Sequence, residues 1–340
     1  MARYIAKRLA YILLVFIFIS FLMYLIYNAI PFDRARWLAD EQKAAYKYNP
    51  EGLEQLYQEK RTELGLDKNI VERYLMWLGV MPLNGKYNGM LQGNFGVSYT
   101  NIQQPVVEVL KEPMKNTIFI NVFATLLALG ITIPLGILCA VKKGSKLDTG
   151  VQVGSIIGYS MPVFITAILF IFIFSITFKW FPVSGQETPG STLTGAARFF
   201  DRLYYMALPL IVMTFCSLGG MTRYVRASMI EALSMDCIRT ARAKGLKERT
   251  VIFSHAWRNA LIPIVTLVVG WFLGIFSGSI MIENIFGLNG MGKMYIIALN
   301  NNDFDVVLTL QMFYVMIGLL GNLVIDLLYG LIDPRIRITK

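Results

Sequence analysis

The sequence predicts an all-α membrane protein with six transmembrane helices and an extracellular lobe between the first and the second. Three observations carry this. Of the 340 residues, 55% are hydrophobic and 16% are charged, against about a quarter charged in a soluble domain. The apolar residues fall into charge-free runs at 9–32, 116–141, 149–178, 203–222, 259–282 and 306–325, each at least 20 residues long. About 20 apolar residues span a bilayer as a helix, and a helix satisfies its own backbone where lipid cannot. The third observation is charge asymmetry. With the N-terminus in the cytosol, segments 1–8, 142–148, 223–258 and the tail from Asp326 hold 17 basic and 6 acidic side chains; the outer segments hold 15 and 16. Lys and Arg collect on the cytosolic side, so both termini are expected there. The net charge of +10 is then a topology signal, and no nucleic-acid partner is expected.

Residues 1–32 are expected to form a cytosolic N-terminus and the first span. The basic start resembles a signal peptide, but the apolar run is too long and no A-x-A site follows, so the span is expected to be retained. Residues 33–115 form the lobe, with 11 basic and 11 acidic side chains. "EGLEQLYQEKRTELGL" and "NIVERYLMWLGV" have helical spacing, whereas "MPLNGKYNGMLQGNFGVSY" reads as loop or short strand. About 80 residues make a small lobe but hardly an independent domain, suited to docking something outside; a passive cap is the alternative.

Residues 116–330 are expected to form the core, spans two to six, with 331–340 as a cytosolic tail. Pro162, in "GYSMPVF", should kink span three. The 223–258 loop is far longer than a connector requires. Ile230, Leu233, Cys237 and Ala241 recur at helical spacing as one apolar stripe. Arg239, Arg242 and Lys244 crowd the last turn, where cations suit the helix dipole. Gly245 stands where a left-handed cap residue belongs, and another helix should begin near Lys247 and lead to Trp257. Such an element suits a groove on a cytosolic partner; lying on anionic lipid is the alternative. In span five, Gly270, Gly274 and Gly278 share a face at i, i+4, i+8, for helix packing or for lining a pathway.

Chemistry is hard to place in this chain. "FGLNGMGKM" (286–294) follows the P-loop pattern as far as Lys293, but Met294 lacks the hydroxyl that holds Mg²⁺. The segment falls between spans five and six on the outer face, where its glycines should shape a re-entrant turn. Mid-span ionisable residues, the mark of secondary transporters, are absent. His255 stands alone as the one histidine. Cys139, Cys216 and Cys237 have no metal-site spacing. No catalytic, cofactor-binding or metal residue is expected, and an external motor would supply the energy.

Several stretches resemble one known family. "RTARAKGL" with "HAWRNALIPIVT", "LGLDKNIVERYLMWL" with "GNFGVSY", "GYSMPVF" with "FPVSG", and "IENIFGLNGMGKM" with "NDFDVV" are similar, in order and spacing, to the oligopeptide/dipeptide permeases of ABC importers. The match runs from about residue 4 to 337, and the long first outer loop resembles the B-type subunit. The resemblance implies a type I ABC importer permease fold, oligopeptide cargo, and four partners besides membrane lipid. These are a homologous C-type permease, two cytosolic ABC ATPases that bind ATP and Mg²⁺, and an extracellular substrate-binding protein. It implies ATPase coupling by Arg239, Thr240, Ala241, Arg242, Ala243, Lys244 and Gly245. Gly245 and Ala241 match the wider E-A-A-x-x-x-G signature, from which Arg239 and Thr240 depart. It implies an outer gate at Glu283, Asn284, Phe286, Gly290 and Gly292, although Asn289 departs from the family's proline-bearing form. Nickel complexes or oligosaccharides are alternative cargoes, and a non-transporting receptor or scaffold is an alternative of a different class.

Overall fold

The computed structural model describes residues 2–101 and 104–332; most of the expected 331–340 tail lies outside them. Helix α1 (Ala2–Ala29) is followed by α2 (Arg34–Glu41), α3 (Pro50–Glu63) and α4 (Ile70–Leu78). A two-stranded antiparallel ribbon pairs β1 (Val97–Ser98) with β2 (Gln104–Pro105), Val97 opposite Pro105. Then come α5 (Val106–Val141), α6 (Lys146–Ser160), α7 (Val163–Phe170) with a π-helical continuation to Thr177, and α8 (Gly195–Ser234). After these come α9 (Asp236–Ala243), α10 (Glu248–Thr250), a π turn (Val251–Ala256), α11 (Trp257–Gly274), α12 (Ile280–Ile285), α13 (Met291–Asn300) and α14 (Phe304–Ile332).

Four helices, Tyr4–Ala29, Val106–Val141, Gly195–Ser234 and Phe304–Leu328, are long and apolar enough to cross a bilayer. Two bent pairs, Lys146–Ser160 with Val163–Thr177 and Glu248–Leu261 with Pro263–Gly274, complete six when each counts as one span. The first pair bends by 105°, which corrects the expected kink to a full break. Met161 is extended (φ −81°, ψ 129°), as the residue before a proline prefers, and Pro162 offers no N–H to continue the ladder. Leu13, Leu14 and Phe18 are exposed on α1, as a lipid-facing helix requires.

The chain divides into two compact units, Met1–Lys111 with Tyr295–Met316, and Glu112–Met294 with Ile317–Lys340. Residues 33–111 of the expected lobe fall in the first unit with the first helix and 295–316, and 112–115 fall in the second. In the first unit, the Asn49 side chain accepts from Gly52 N, and the Asn69 side chain from Val71 N and Glu72 N, starting α3 and α4. Gly79, at φ +88°, ends α4. Tyr74 of α4 meets the Ser20 hydroxyl of α1 at 2.7 Å. The Asp303 carboxylate accepts from Ser98 Oγ at 2.6 Å and Thr100 N at 3.1 Å, closing the ribbon onto the residues before α14.

The second unit has two apolar cores. Ile120 and Ala124 of α5 join one with Ala167, Met206, Leu208, Ile282, Phe286 and Leu288. Ile137 and Ala140, further along the same helix, join the other with Val225, Met229, Ile238, Ala241, Val251 and Ala260. Ile120 and Ile137 are separated by about 25 Å at the α-helical rise. One core therefore seats the α12 segment and the other seats α9.

Candidate functional site

The basic segment is built on a break in the helix. Helix α8 ends at Ser234, Met235 is extended (φ −65°, ψ 148°), and α9 restarts at Asp236. The extended residue resets the helical phase, so the expected single stripe through Ile230, Leu233, Cys237 and Ala241 does not form. Cys237 is exposed, and the anchors of α9 are Ile238 and Ala241, both buried among α5, α8 and α11. Arg239, Thr240, Arg242, Ala243, Lys244 and Gly245 are exposed.

The end of α9 is held tightly. Gly245 has φ +75°. Its N–H donates to Arg242 O at 2.9 Å, and Leu246 N donates to Ala241 O at 3.3 Å, the paired bonds of a Schellman cap. Arg242 reaches Glu248 at 2.6 and 3.2 Å and so ties the two sides of the turn together. Glu248 carried no functional reading in sequence; its partner lies six positions back, across a turn.

A buried ion pair stiffens the helices leading to this segment. Asp148, in the first turn of α6, accepts from Arg226 Nε at 2.7 Å and Nη2 at 2.8 Å, and from Gly144 N at 2.9 Å. Bidentate geometry of this kind fixes orientation as well as charge.

At the other core the chain fills its own turn with a carboxylate. Glu283 is 2% exposed. It accepts from Thr117 Oγ1 at 2.9 Å, Lys293 N at 2.8 Å and Ser279 N at 3.3 Å. The Thr117 hydroxyl in turn accepts from Met291 N at 2.8 Å. Asn116 Nδ2 donates to Asn289 O, and Asn121 Nδ2 donates to Ile275 O and Ser277 O. Burial pushes the Glu283 carboxyl above its ordinary range, against the pull of the bonds from Lys293 N and Thr117. Gly290 and Gly292 are small for a reason. A Cβ on Gly290 would strike the Glu283 carboxylate, and one on Gly292 would come within 2.7 Å of Ile280 N. Phe286 is buried and its carbonyl accepts from Gly185 N at 2.9 Å, whereas Asn284 is exposed and bonds back to Ile280 O. The P-loop-like stretch thus covers the turn before α13 and that helix's first residues, and the N–H groups of Lys293 and Met291 serve Glu283 and Thr117 within the chain, where a P-loop would turn such groups to a phosphate.

The three span-five glycines separate. Helix α11 ends at Gly274, so Gly278 lies outside it, which corrects the expectation of one shared helix face. Gly278 packs its backbone on Gly292, while Gly270 and Gly274 have no neighbour within 4 Å of a built Cβ. Close helix contacts occur at other glycines. A Cβ would meet Val225 at Gly136, the Phe215 carbonyl at Gly158, and the Ser155 carbonyl at Gly219. His255 is half-buried in the π turn, where its carbonyl accepts from Asn259. The three cysteines are free, and among the described residues no cluster of His, Cys, Asp or Glu is placed to hold a metal.

Comparison with known proteins agrees with this architecture. Residues 132–338 match the family described as binding-protein-dependent transport system inner membrane component, and residues 1–121 match its N-terminal family. The oligopeptide transport system permease protein AppB of Bacillus subtilis is 34% identical over 99% of this chain and 100% of its own length. The dipeptide transport system permease protein DppB of Escherichia coli is 35% identical over 100% of both chains. The di/tripeptide transport system permease protein DppB of Pseudomonas aeruginosa is 33% identical over 99% of both. A solved chain of the MetNI methionine ABC transporter in an inward-facing conformation superposes with a TM-score of 0.50 and 16% identity, over 65% of this chain and 96% of that one; at that identity it speaks for the fold alone. With four to six candidate spans among the described residues and a family match across most of its length, this chain belongs to the binding-protein-dependent transport system inner membrane component family.

Proposed function

We propose that this chain is the B-type permease subunit of an ATP-driven importer for oligopeptides. It pairs with a homologous C-type permease, sits on two cytosolic ABC ATPases that carry ATP and Mg²⁺, and receives cargo from an extracellular substrate-binding protein. Both termini and the α9 segment face the cytosol, as the basic side chains at that end support. The identity to peptide permeases over nearly the whole chain supports the cargo class.

The observation that carries the mechanism is the partition of α9. Ile238 and Ala241 are buried in the bundle core while Arg239, Thr240 and residues 242–245 are exposed around a capped turn. A short rigid helix held this way transmits a push or pull. ATP binding closes the two ATPases, and their surface drives the exposed face of α9. The Asp148–Arg226 bridge and the shared core carry that displacement into α6, α8 and α11. The bundle then alternates access, with the Glu283 turn acting as a piece of the outer gate. Because the ATPases' differential affinity for the two states sets how far the equilibrium moves, weakening the α9 contact should lower uptake without abolishing ATP hydrolysis.

The test is reconstitution of the chain in proteoliposomes with the permease, ATPases and binding protein recovered beside it. ATP-dependent uptake of labelled short peptides supports the reading. Uptake driven by an ion gradient with ATP depleted, or assembly without any ATPase, contradicts it.

A further inference from the structure

Within the first unit, a cavity of about 330 Å³ opens where α1 ends and α14 begins. Its size falls in the range of small-ligand sites. Its lining divides by chemistry. Arg34, Arg61 and Arg73 supply three guanidiniums, and Ile30, Pro31, Phe32, Leu66 and Phe304 supply an apolar wall.

Two carboxylates near it are already engaged. Asp305 holds Arg34 at 2.7 Å. Asp33 caps α2, accepting from Ala35 N at 3.0 Å and Arg36 N at 3.2 Å, while its second oxygen accepts from the Tyr57 hydroxyl at 2.8 Å. Among the described residues no ion pair engages Arg61 or Arg73. Arg73 donates through Nη2 to Asn28 Oδ1, and its Nε is buried with no hydrogen-bond partner. A buried donor left unpaired is costly. Arg61 and Arg73 are therefore the lining guanidiniums without a carboxylate partner among the described residues, and they are what an anion entering the cavity would meet.

The cavity also lies at the ends of two candidate spans. The first candidate span ends at Ala29 and the last begins at Phe304, so by helix length and composition residues 30–34 and Phe304 fall at a span boundary. Tyr27 and Phe32 both pack on the Phe304 ring, at 5.8 and 5.5 Å, and aromatic side chains favour that boundary. Guanidinium forks suit phosphate oxygens, and the apolar wall suits the glycerol and first methylenes beneath a headgroup.

We propose that this cavity is a phosphate site at the membrane surface, with Arg61 and Arg73 as its principal donors and Arg34 as a fixed, carboxylate-held third. The phosphate is carried by an anionic lipid headgroup or by a soluble phosphate ester. The site is separate from the α9 contact and does not depend on the cargo.

The test uses the full chain in non-ionic detergent, followed by native mass spectrometry with added phosphatidylglycerol, and by calorimetry with glycerol 3-phosphate as the soluble arm. The expected result is a retained phosphate-bearing adduct whose apparent affinity falls at least tenfold in the Arg61→Gln/Arg73→Gln double variant. The surface control Lys86→Gln leaves it unchanged. Leu66→Trp fills the cavity with every charge kept and lowers binding likewise, which covers the case of a double variant that does not fold. Binding of the lipid alone assigns the headgroup as source; competition by glycerol 3-phosphate assigns a soluble ester. Equal binding by wild type and both cavity variants, no binding of either probe, or uptake of a short peptide's carboxylate in preference to phosphate overturns the proposal.

Discussion

Asp148 and Arg226, 78 positions apart, join the start of α6 to the latter part of α8 through two parallel hydrogen bonds of 2.7 and 2.8 Å. The pair lies just before the break that leads into α9. Asp148→Ala leaves the Arg226 side chain, 23% exposed, without its partner. The expected loss is about 3 kcal/mol, as for other broken buried pairs. Thermal unfolding of the purified chain checks it, and an unchanged midpoint refutes the bridge as a structural tie.

Gly245 separates folding from coupling. Its φ of +75° costs a side-chain-bearing residue about 1–2 kcal/mol, but a built Cβ meets nothing within 4 Å. Gly245→Ala should therefore fold with a small loss of stability. Gly245→Glu should also fold, and should place a carboxylate on the exposed turn that caps α9. In the reconstituted importer it is expected to leave ATP hydrolysis running while peptide uptake falls. Normal uptake by Gly245→Glu would remove α9 from the coupling path.

Glu283 and Gly290 are expected to act as one unit. Glu283→Gln replaces one acceptor oxygen by NH₂, which faces the Lys293 N–H in one amide orientation and the Ser279 N–H in the other, so a donor faces a donor either way. The expected cost is about 1–3 kcal/mol, the scale of an unsatisfied buried polar group. Gly290→Ala drives a methyl into the same carboxylate and should cost a similar amount. The double variant should fall short of the sum, because neighbouring sites are not additive. Strict additivity in denaturation midpoints argues against a shared network.

The glycines give a contrast within one chain. Gly219→Val must push into the Ser155 carbonyl and the Tyr159 side chain; overpacking of this kind costs about 1–3 kcal/mol. Gly274 is exposed and a Cβ there meets nothing within 4 Å, and Gly274→Trp should leave the isolated chain's stability within about 0.5 kcal/mol. Under the proposed pairing with a second permease, the same Trp should reduce recovery of that subunit in a pull-down. Full recovery places Gly274 away from the interface.

Features carried by consecutive residues were legible in the sequence. The charge-free runs located the candidate spans, and Gly245 takes the left-handed conformation its position suggested. Features that depend on remote partners were not. Nothing near Glu283 in sequence names Thr117 as its partner 166 positions away, and nothing near Asp148 names Arg226. Periodicity alone ran through Met235, because one extended residue resets the phase without any proline or glycine to announce it. Spacing alone put Gly270, Gly274 and Gly278 together, although α11 stops at the second of them. The helix contacts at Gly136, Gly158 and Gly219 require knowing which helices are neighbours.

The measurement that tests the central claim most directly is site-specific photocrosslinking from α9 in native membranes, with the crosslinker placed at Arg239, Thr240 or Lys244 and, as a control, at Ile238. The account predicts that the three exposed positions capture an ABC ATPase while the buried Ile238 position reacts within the chain. Exposed positions that capture only lipid, or a signalling protein with no ATPase, would contradict it.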